Sequence, residues 1–244
     1  MKKIVTLVLL AVTIVGAAQK STLLRYNYTK GDNYIMSMSM AQTLNKAPII
    51  DTSMDLLIEI TDVNGAEYNS KIKFVKLKML IQQGNTKISY DSTKSDALLD
   101  KKEKIIKAKM KPMLKAVVFT KENNLGELLE VKTEPKTPGV VEMVIPKYKV
   151  IYPKKAVKVN DTWSMIKEEK GIKFNFRYTV KSILKELVVL NVSGSISGLV
   201  NGTITGSLEI DIATGNALKT RINMDMGANG IRMSTKIIAS IRKR

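Results

Sequence analysis

Apolar and polar residues alternate with a period of two over most of this chain. Met36, Met38 and Met40 alternate with Ser37 and Ser39, and Gln42 and Leu44 continue in step. Met54, Leu56, Ile58 and Ile60 share one parity against Asp55, Leu57, Glu59 and Thr61, and Asn64-Gly65 then supplies a tight turn. Such alternation turns one set of side chains toward a core and the other toward water, and Asn-Gly is a strong hairpin signal. Ile72 and Phe74 open the next segment, which changes phase to Val75, Leu77, Met79 and Ile81. A one-residue phase change predicts a bulge near Phe74-Val75. Gln83-Gly84-Asn85 turns the chain into a short strand over 86–90.

The period changes once. Leu98, Leu99, Ile105, Ile106, Met110, Met113 and Leu114 fall at spacings of three, four and seven, which predicts a helix over about 96–111. Ser95 is its expected N-cap and Pro112 its expected end or kink. A hairpin over 117–132 and a short helix over 140–145 follow. Period two then resumes. Phe174, Phe176, Tyr178 and Val180 share a face, as do Val188, Leu190 and Val192, then Ile204, Leu208 and Ile210, then Ile222, Met224 and Met226, then Met233, Ile237 and Ile241. Gly194, Gly198, Gly202 and Gly206 recur at fours, marking sharp bends or close approaches. The expectation is a mainly β chain with minor α: one curved antiparallel sheet of about ten strands, with one main helix on its concave side and no flexible linker.

Composition closes several routes to chemistry. The chain has no cysteine and no histidine, so thiolate or imidazole zinc sites and His-based triads are excluded, and a packed core must replace disulfides. Asp91-Ser92 near Lys94 reads as cap chemistry, Asp211 before Thr214-Gly215 as a turn residue, and Asp161 before Trp163 as a loop anchor. No Gly-rich phosphate loop is present. The reading is non-enzymatic, with no cofactor and no metal. The Met36-x-Met38-x-Met40 run could offer thioethers to Cu(I), but alternate strand positions lie about 6.5–7 Å apart. Plain core packing or a pliable lining for an apolar guest suits these residues better.

The N-terminus reads Met1-Lys2-Lys3, an apolar run from Ile4 to Val15, then Gly16-Ala17-Ala18. That is the pattern of a secretory signal peptide over residues 1–18, with cleavage before Gln19 and a single domain over 19–244. No cysteine follows for lipid attachment. The expected location is periplasmic or extracellular, with no membrane-spanning segment after cleavage. The 40 Lys and Arg against 22 Asp and Glu give a charge of +18, which favours polyanionic surroundings. Lys101, Lys104, Lys107 and Lys111 line the polar side of the predicted helix and are candidates for an anionic envelope surface; a merely solvated face is the alternative. Nucleic acid is disfavoured, since no nucleic-acid fold signature accompanies the 5% aromatic content.

Four ordered segments carry a resemblance: Leu23-Leu24-Arg25-Tyr26-Asn27-Tyr28-Thr29-Lys30-Gly31-Asp32, Tyr90-Asp91-Ser92, Tyr152-Pro153-Lys154-Lys155-Ala156-Val157-Lys158-Val159-Asn160-Asp161-Thr162-Trp163 and Ile210-Asp211-Ile212-Ala213-Thr214-Gly215. Together they resemble a secreted Bacteroidota family of domains of unknown function, with a half-barrel fold akin to the lipoprotein carriers LolA and LolB. Asn160 stands where that pattern more often has Gly. The resemblance implies a strongly curved antiparallel sheet with helices in its concavity, and by analogy an acyl-chain ligand. Candidate lining residues are Met36, Met38, Met40, Phe174, Phe176, Tyr178, Met224, Met226 and Met233. The competing reading is a ligand-free envelope scaffold or protein-interaction module.

Overall fold

The computed structural model describes residues 21–244. The signal peptide expected over 1–18 lies outside the described residues. In chain order the elements are β1 (Asn33–Leu44), β2 (Ala47–Asn64), β3 (Glu67–Gln83), β4 (Thr86–Asp91), α1 (Lys101–Lys115), β5 (Val117–Asn123), β6 (Leu128–Glu134), α2 (Val140–Val144), β7 (Thr162–Glu169), β8 (Ile172–Ile183), β9 (Leu187–Gly198), β10 (Asn201–Asp211), β11 (Ala217–Ala228) and β12 (Ile231–Lys243). All twelve strands join one open antiparallel sheet in the order β6-β5-β3-β2-β1-β12-β11-β10-β9-β8-β7, with β4 on the remaining half of β3. The pairing of β1 with β12 closes the two halves of the chain into one sheet.

Register puts the predicted apolar parities on one face. Met38 stands opposite Met54 on β2 and Ala239 on β12. Ile222 stands opposite Ile237 and Gly206, and Val192 opposite Gly206 and Tyr178. This inner face carries both hydrophobic clusters of the molecule. The expected bulge is present: Asp55 pairs with Lys76 and Leu56 with Phe74, so Val75 is left unpaired and exposed.

Three of the four regularly spaced glycines hold inner-face positions with large partners. Gly194 lies between Phe176 and Ile204, Gly202 between Ile196 and Met226, and Gly206 between Val192 and Ile222. A Cβ at Gly194, Gly202 or Gly206 would overlap a carbonyl oxygen of the adjacent strand, from Asn175, Asp225 or Arg221. Neighbouring strands close in tightly here because no side chain intervenes.

The helix differs from its sequence reading at both ends. It begins at Lys101, not near Ser95. Asp100 caps it, accepting from the Glu103 amide at 2.8 Å, while the Glu103 carboxylate accepts from the Asp100 amide at 3.1 Å. That reciprocal pair is a stronger start than a lone serine. Residues Asp96–Leu98 form a separate 3-10 turn, and Leu98 is exposed while Leu99 is buried. Pro112 does not end the helix, which continues to Lys115. The carbonyl that the proline leaves without its usual amide donor belongs to Ala108, an exposed residue. Ile106, Met110, Met113 and Leu114 pack α1 onto the inner face around Met54, Leu56 and Leu77.

Candidate functional site

Three non-periodic segments cross one end of the inner face and fill it with tyrosine. The first, residues 22–28, is tied to the third by the Thr22–Val157 bridge and by Arg25, whose guanidinium donates to the Pro153 and Lys154 carbonyls at 2.8 and 2.6 Å. The second is the β5–β6 turn, where the Asn124 carbonyl accepts from the Tyr26 amide at 2.9 Å. The third, residues 146–157, lies across the sheet. Its Tyr152 amide donates to Leu125, its Tyr152 hydroxyl to the Gly215 carbonyl, and the Trp163 indole donates to the Ile151 carbonyl at 2.9 Å. Gly215 has φ near +71°, and a Cβ there would strike the Arg25 carbonyl. Glycine at this turn is what lets the first segment seat.

The rings interlock. Tyr26 and Tyr152 are 5.1 Å apart between centroids, and Tyr28 meets Tyr68 edge-on at 4.7 Å. Their polar ends are satisfied: the Tyr28 hydroxyl donates to Asn216 at 2.6 Å, Tyr34 to Asp32 at 3.0 Å, and Tyr178 to the Tyr148 carbonyl at 3.2 Å. Burial holds the hydroxyls of Tyr26, Tyr148, Tyr152 and Tyr178 well above the ordinary phenol range, because the anion would lose its water.

One charged pair sits inside this apolar frame. Strand β5 sends Val118, Thr120 and Glu122 inward, and Ser70 meets Thr120 by a 2.7 Å hydroxyl contact. Glu122 is only 4% exposed. It accepts from the Tyr68 hydroxyl and forms an ion pair with Lys149, whose ammonium lies 5.1 Å from the centre of the Tyr26 ring. Beside this pair, between the crossing segment and the middle of the sheet, lies a cavity of about 110 Å³. Met36, Ile58, Ile72, Leu208, Ala217, Ala239 and Ile241 supply its sheet side, and Val144, Ile145, Pro146 and Val150 its roof. Besides tyrosine hydroxyls, its polar side chains are Glu122, Lys149, Asn216, Thr220 and Ser240.

The sequence-derived lining residues divide. Met36 lines the cavity, and Met38 touches the Tyr148 hydroxyl through sulfur at 3.2 Å. Met40 and Met226 are half-buried against the core. Phe174, Phe176, Tyr178 and Met224 are buried within it, where Phe176 and Tyr178 have no exposed surface. Met233 lies toward the β11–β12 hairpin tip, opposite Leu44 and Met226. Lys101, Lys104, Lys107 and Lys111 all stand on α1, which contributes nothing to the cavity, and Lys107 pairs with Asp96. Sequence reasoning missed Tyr68, Glu122, Tyr148 and Lys149. The parity of Val118, Thr120 and Glu122 was the available signal for Glu122.

Residues 141–225 match a family of unknown function, DUF6263. Among curated proteins, none matches this chain. A lipovitellin structure concerned with lipid–protein interactions shares the fold, with a TM-score of 0.60 at 9% identity over 88% of this chain. The chain spans about a quarter of that protein, 25% of its length. A DUF1329 family protein from Desulfovibrio piger aligns over 88% of this chain and 86% of its own at 10% identity, with a TM-score of 0.24, too low to carry an argument.

Proposed function

We propose that this is an exported, non-catalytic binding protein for an apolar ligand bearing a small neutral polar group. The observation that carries the reading is the cavity: an apolar wall of sheet and roof residues around one buried ion pair. Its volume, about 110 Å³, is somewhat below the ~150 Å³ of an engineered cavity that takes benzene. It therefore encloses a group of a few carbons, not a whole acyl chain. A longer chain would continue over half-buried Met38 and Met40, whose flexible thioethers adapt to an irregular guest. Desolvation at about 25 cal/mol per Å² supplies the driving force. Glu122 and Lys149 neutralise one another, so the site favours an ester, amide or hydroxyl over a bare carboxylate. The sheet architecture shared with a lipid-associated protein supports this choice, as does the sequence resemblance to a family of unknown function whose fold is akin to the lipoprotein carriers; export rests on the leader pattern of residues 1–18.

Mass spectrometry of an organic extract of the purified protein tests the reading, paired with displacement of a fluorescent neutral lipid. Ala239→Leu extends a buried small residue of the lining into the cavity and should abolish binding. A clean extract, no binding by the unaltered protein, or undiminished binding by the filled variant would each defeat it.

A second reading, an interaction module, draws on β6. This edge strand exposes Leu128, Leu129 and Val131, and an open apolar edge is a site for strand pairing. It predicts a recurrent partner lost on Leu129→Lys, with the cavity irrelevant.

A further inference from the structure

Helix α1 presents lysines and an apolar line on the side away from the sheet. It carries seven lysines in fifteen residues. With about 3.6 residues per turn, Ile105, Ala108 and Pro112 fall one above another on the face opposite Ile106, Met110 and Met113. Ile105 is 58% exposed, and Leu98, in the turn just before the helix, is 71% exposed. Lys104, Lys111 and Lys115 flank this line on one side, Lys102 and Lys109 on the other. Among the described residues, Lys107 alone of these seven has an acidic partner, Asp96. The helix's own acid, Glu103, is buried and held by Lys94.

Leu98 and Ile105 place exposed aliphatic surface among these unpaired lysines. A helix lying on a lipid surface uses both: apolar side chains enter the headgroup layer, and lysines extend their stems along it to reach phosphates. We propose that the outer face of α1 and the preceding turn dock onto an anionic phospholipid bilayer, with Leu98 and Ile105 inserted and Lys101, Lys102, Lys104 and Lys109 against the headgroups. The excess of Lys and Arg over Asp and Glu along the chain, which persists without Lys2 and Lys3, draws it to such a surface. Because α1 contributes nothing to the cavity lining, this docking stands apart from the ligand reading.

Co-sedimentation with phosphatidylcholine vesicles, with and without phosphatidylglycerol, tests it. The protein should partition onto the anionic vesicles and lose that binding as salt is raised. One lysine near a charged surface is worth about a fivefold change in partitioning. The triple variant Lys101→Gln, Lys104→Gln, Lys109→Gln should therefore bind on the order of 100-fold more weakly. The double variant Leu98→Ser, Ile105→Ser should bind more weakly still than charge alone predicts, with any residual binding fully reversed by salt. All five positions are exposed, so unchanged circular dichroism and melting confirm intact folding. Equal partitioning onto both vesicle types would overturn the proposal, as would unaltered binding by the triple variant. So would a double variant that binds as the parent does, since that outcome marks a general polyanion site.

Discussion

The buried ion pair offers the sharpest test of the packing argument. Lys149→Met keeps the stem of the side chain and removes the ammonium, leaving Glu122 with the Tyr68 hydroxyl as its remaining partner. Removing one member of a buried pair costs about 3–5 kcal/mol, because the other charge stays uncompensated. The Lys149 side chain is 26% exposed, so water reaches the pair and about half of that cost survives, ~2 kcal/mol. For a chain of this length each kcal/mol moves Tm by about 2–4 °C, so the melting point should drop by roughly 4–8 °C.

Glu122→Gln added to Lys149→Met should recover most of the loss. Glutamine keeps the volume and a partner for Tyr68 without the charge. Thermal and urea denaturation followed by far-ultraviolet circular dichroism, run on both single variants and the double, closes the cycle. A Lys149→Met loss below about 0.5 kcal/mol, the range of ordinary surface changes, would show that the pair is solvated and not a buried element of the cavity wall. A double variant weaker than both singles would show the same.

Three other outcomes follow from the packing. Gly206→Ala forces a Cβ onto the Arg221 carbonyl and within 2.9 Å of the Ile222 Cδ1 atom; since backbone must move, it should cost at least about 3 kcal/mol in urea melts, and a cost under about 1 would refute the close-approach account. Asp91 accepts from Lys78 at 2.8 Å and from the Thr93 amide and hydroxyl, which hold its carboxyl well below the usual range. Its stabilisation is complete above the unfolded carboxyl pKa of about 4 and is lost as pH falls through the lower native value, so Asp91→Asn should flatten the acid limb of stability against pH. The buried tyrosines keep their protons in the native state, so stability should fall as pH climbs past about 10, where unfolded phenols ionise. Ultraviolet titration should then show them ionising together with unfolding, and free titration in folded protein would refute their burial.

The sheet was legible because its signal is local. Phe174, Phe176, Tyr178 and Val180 advertise a buried face by parity alone, and the phase change near Phe74-Val75 marked the bulge that leaves Val75 unpaired. The helix start was not legible in the same way. Leu98 and Leu99 fit a helical spacing, yet the reciprocal bonds of Asp100 and Glu103 set the boundary after them. The cavity was hidden for a different reason. Tyr26, Tyr148, Lys149 and Tyr152 lie in segments with no period, so their placement depends on which part of the sheet they cross and not on their neighbours in sequence. Glu122 escaped because a charged side chain at an inward parity is read as outward unless its partner, 27 residues away, is known.

The two kinds of side chain on the inner face also differ in what they allow. The tyrosine end is fixed by directional bonds: nearly every hydroxyl has a named acceptor, and moving one ring strands a buried polar atom at a cost of about 1–3 kcal/mol. Every methionine after Met1 except Met233 packs into one of the two inner clusters. Thioethers impose no such demand and change rotamer cheaply. On the proposed reading, a guest of variable shape would be accommodated along Met36, Met38 and Met40, while the tyrosine end would stay rigid and supply the polar stop at Glu122 and Lys149. On this division, ligand length should be tolerated loosely and the polar group at its end selected strictly.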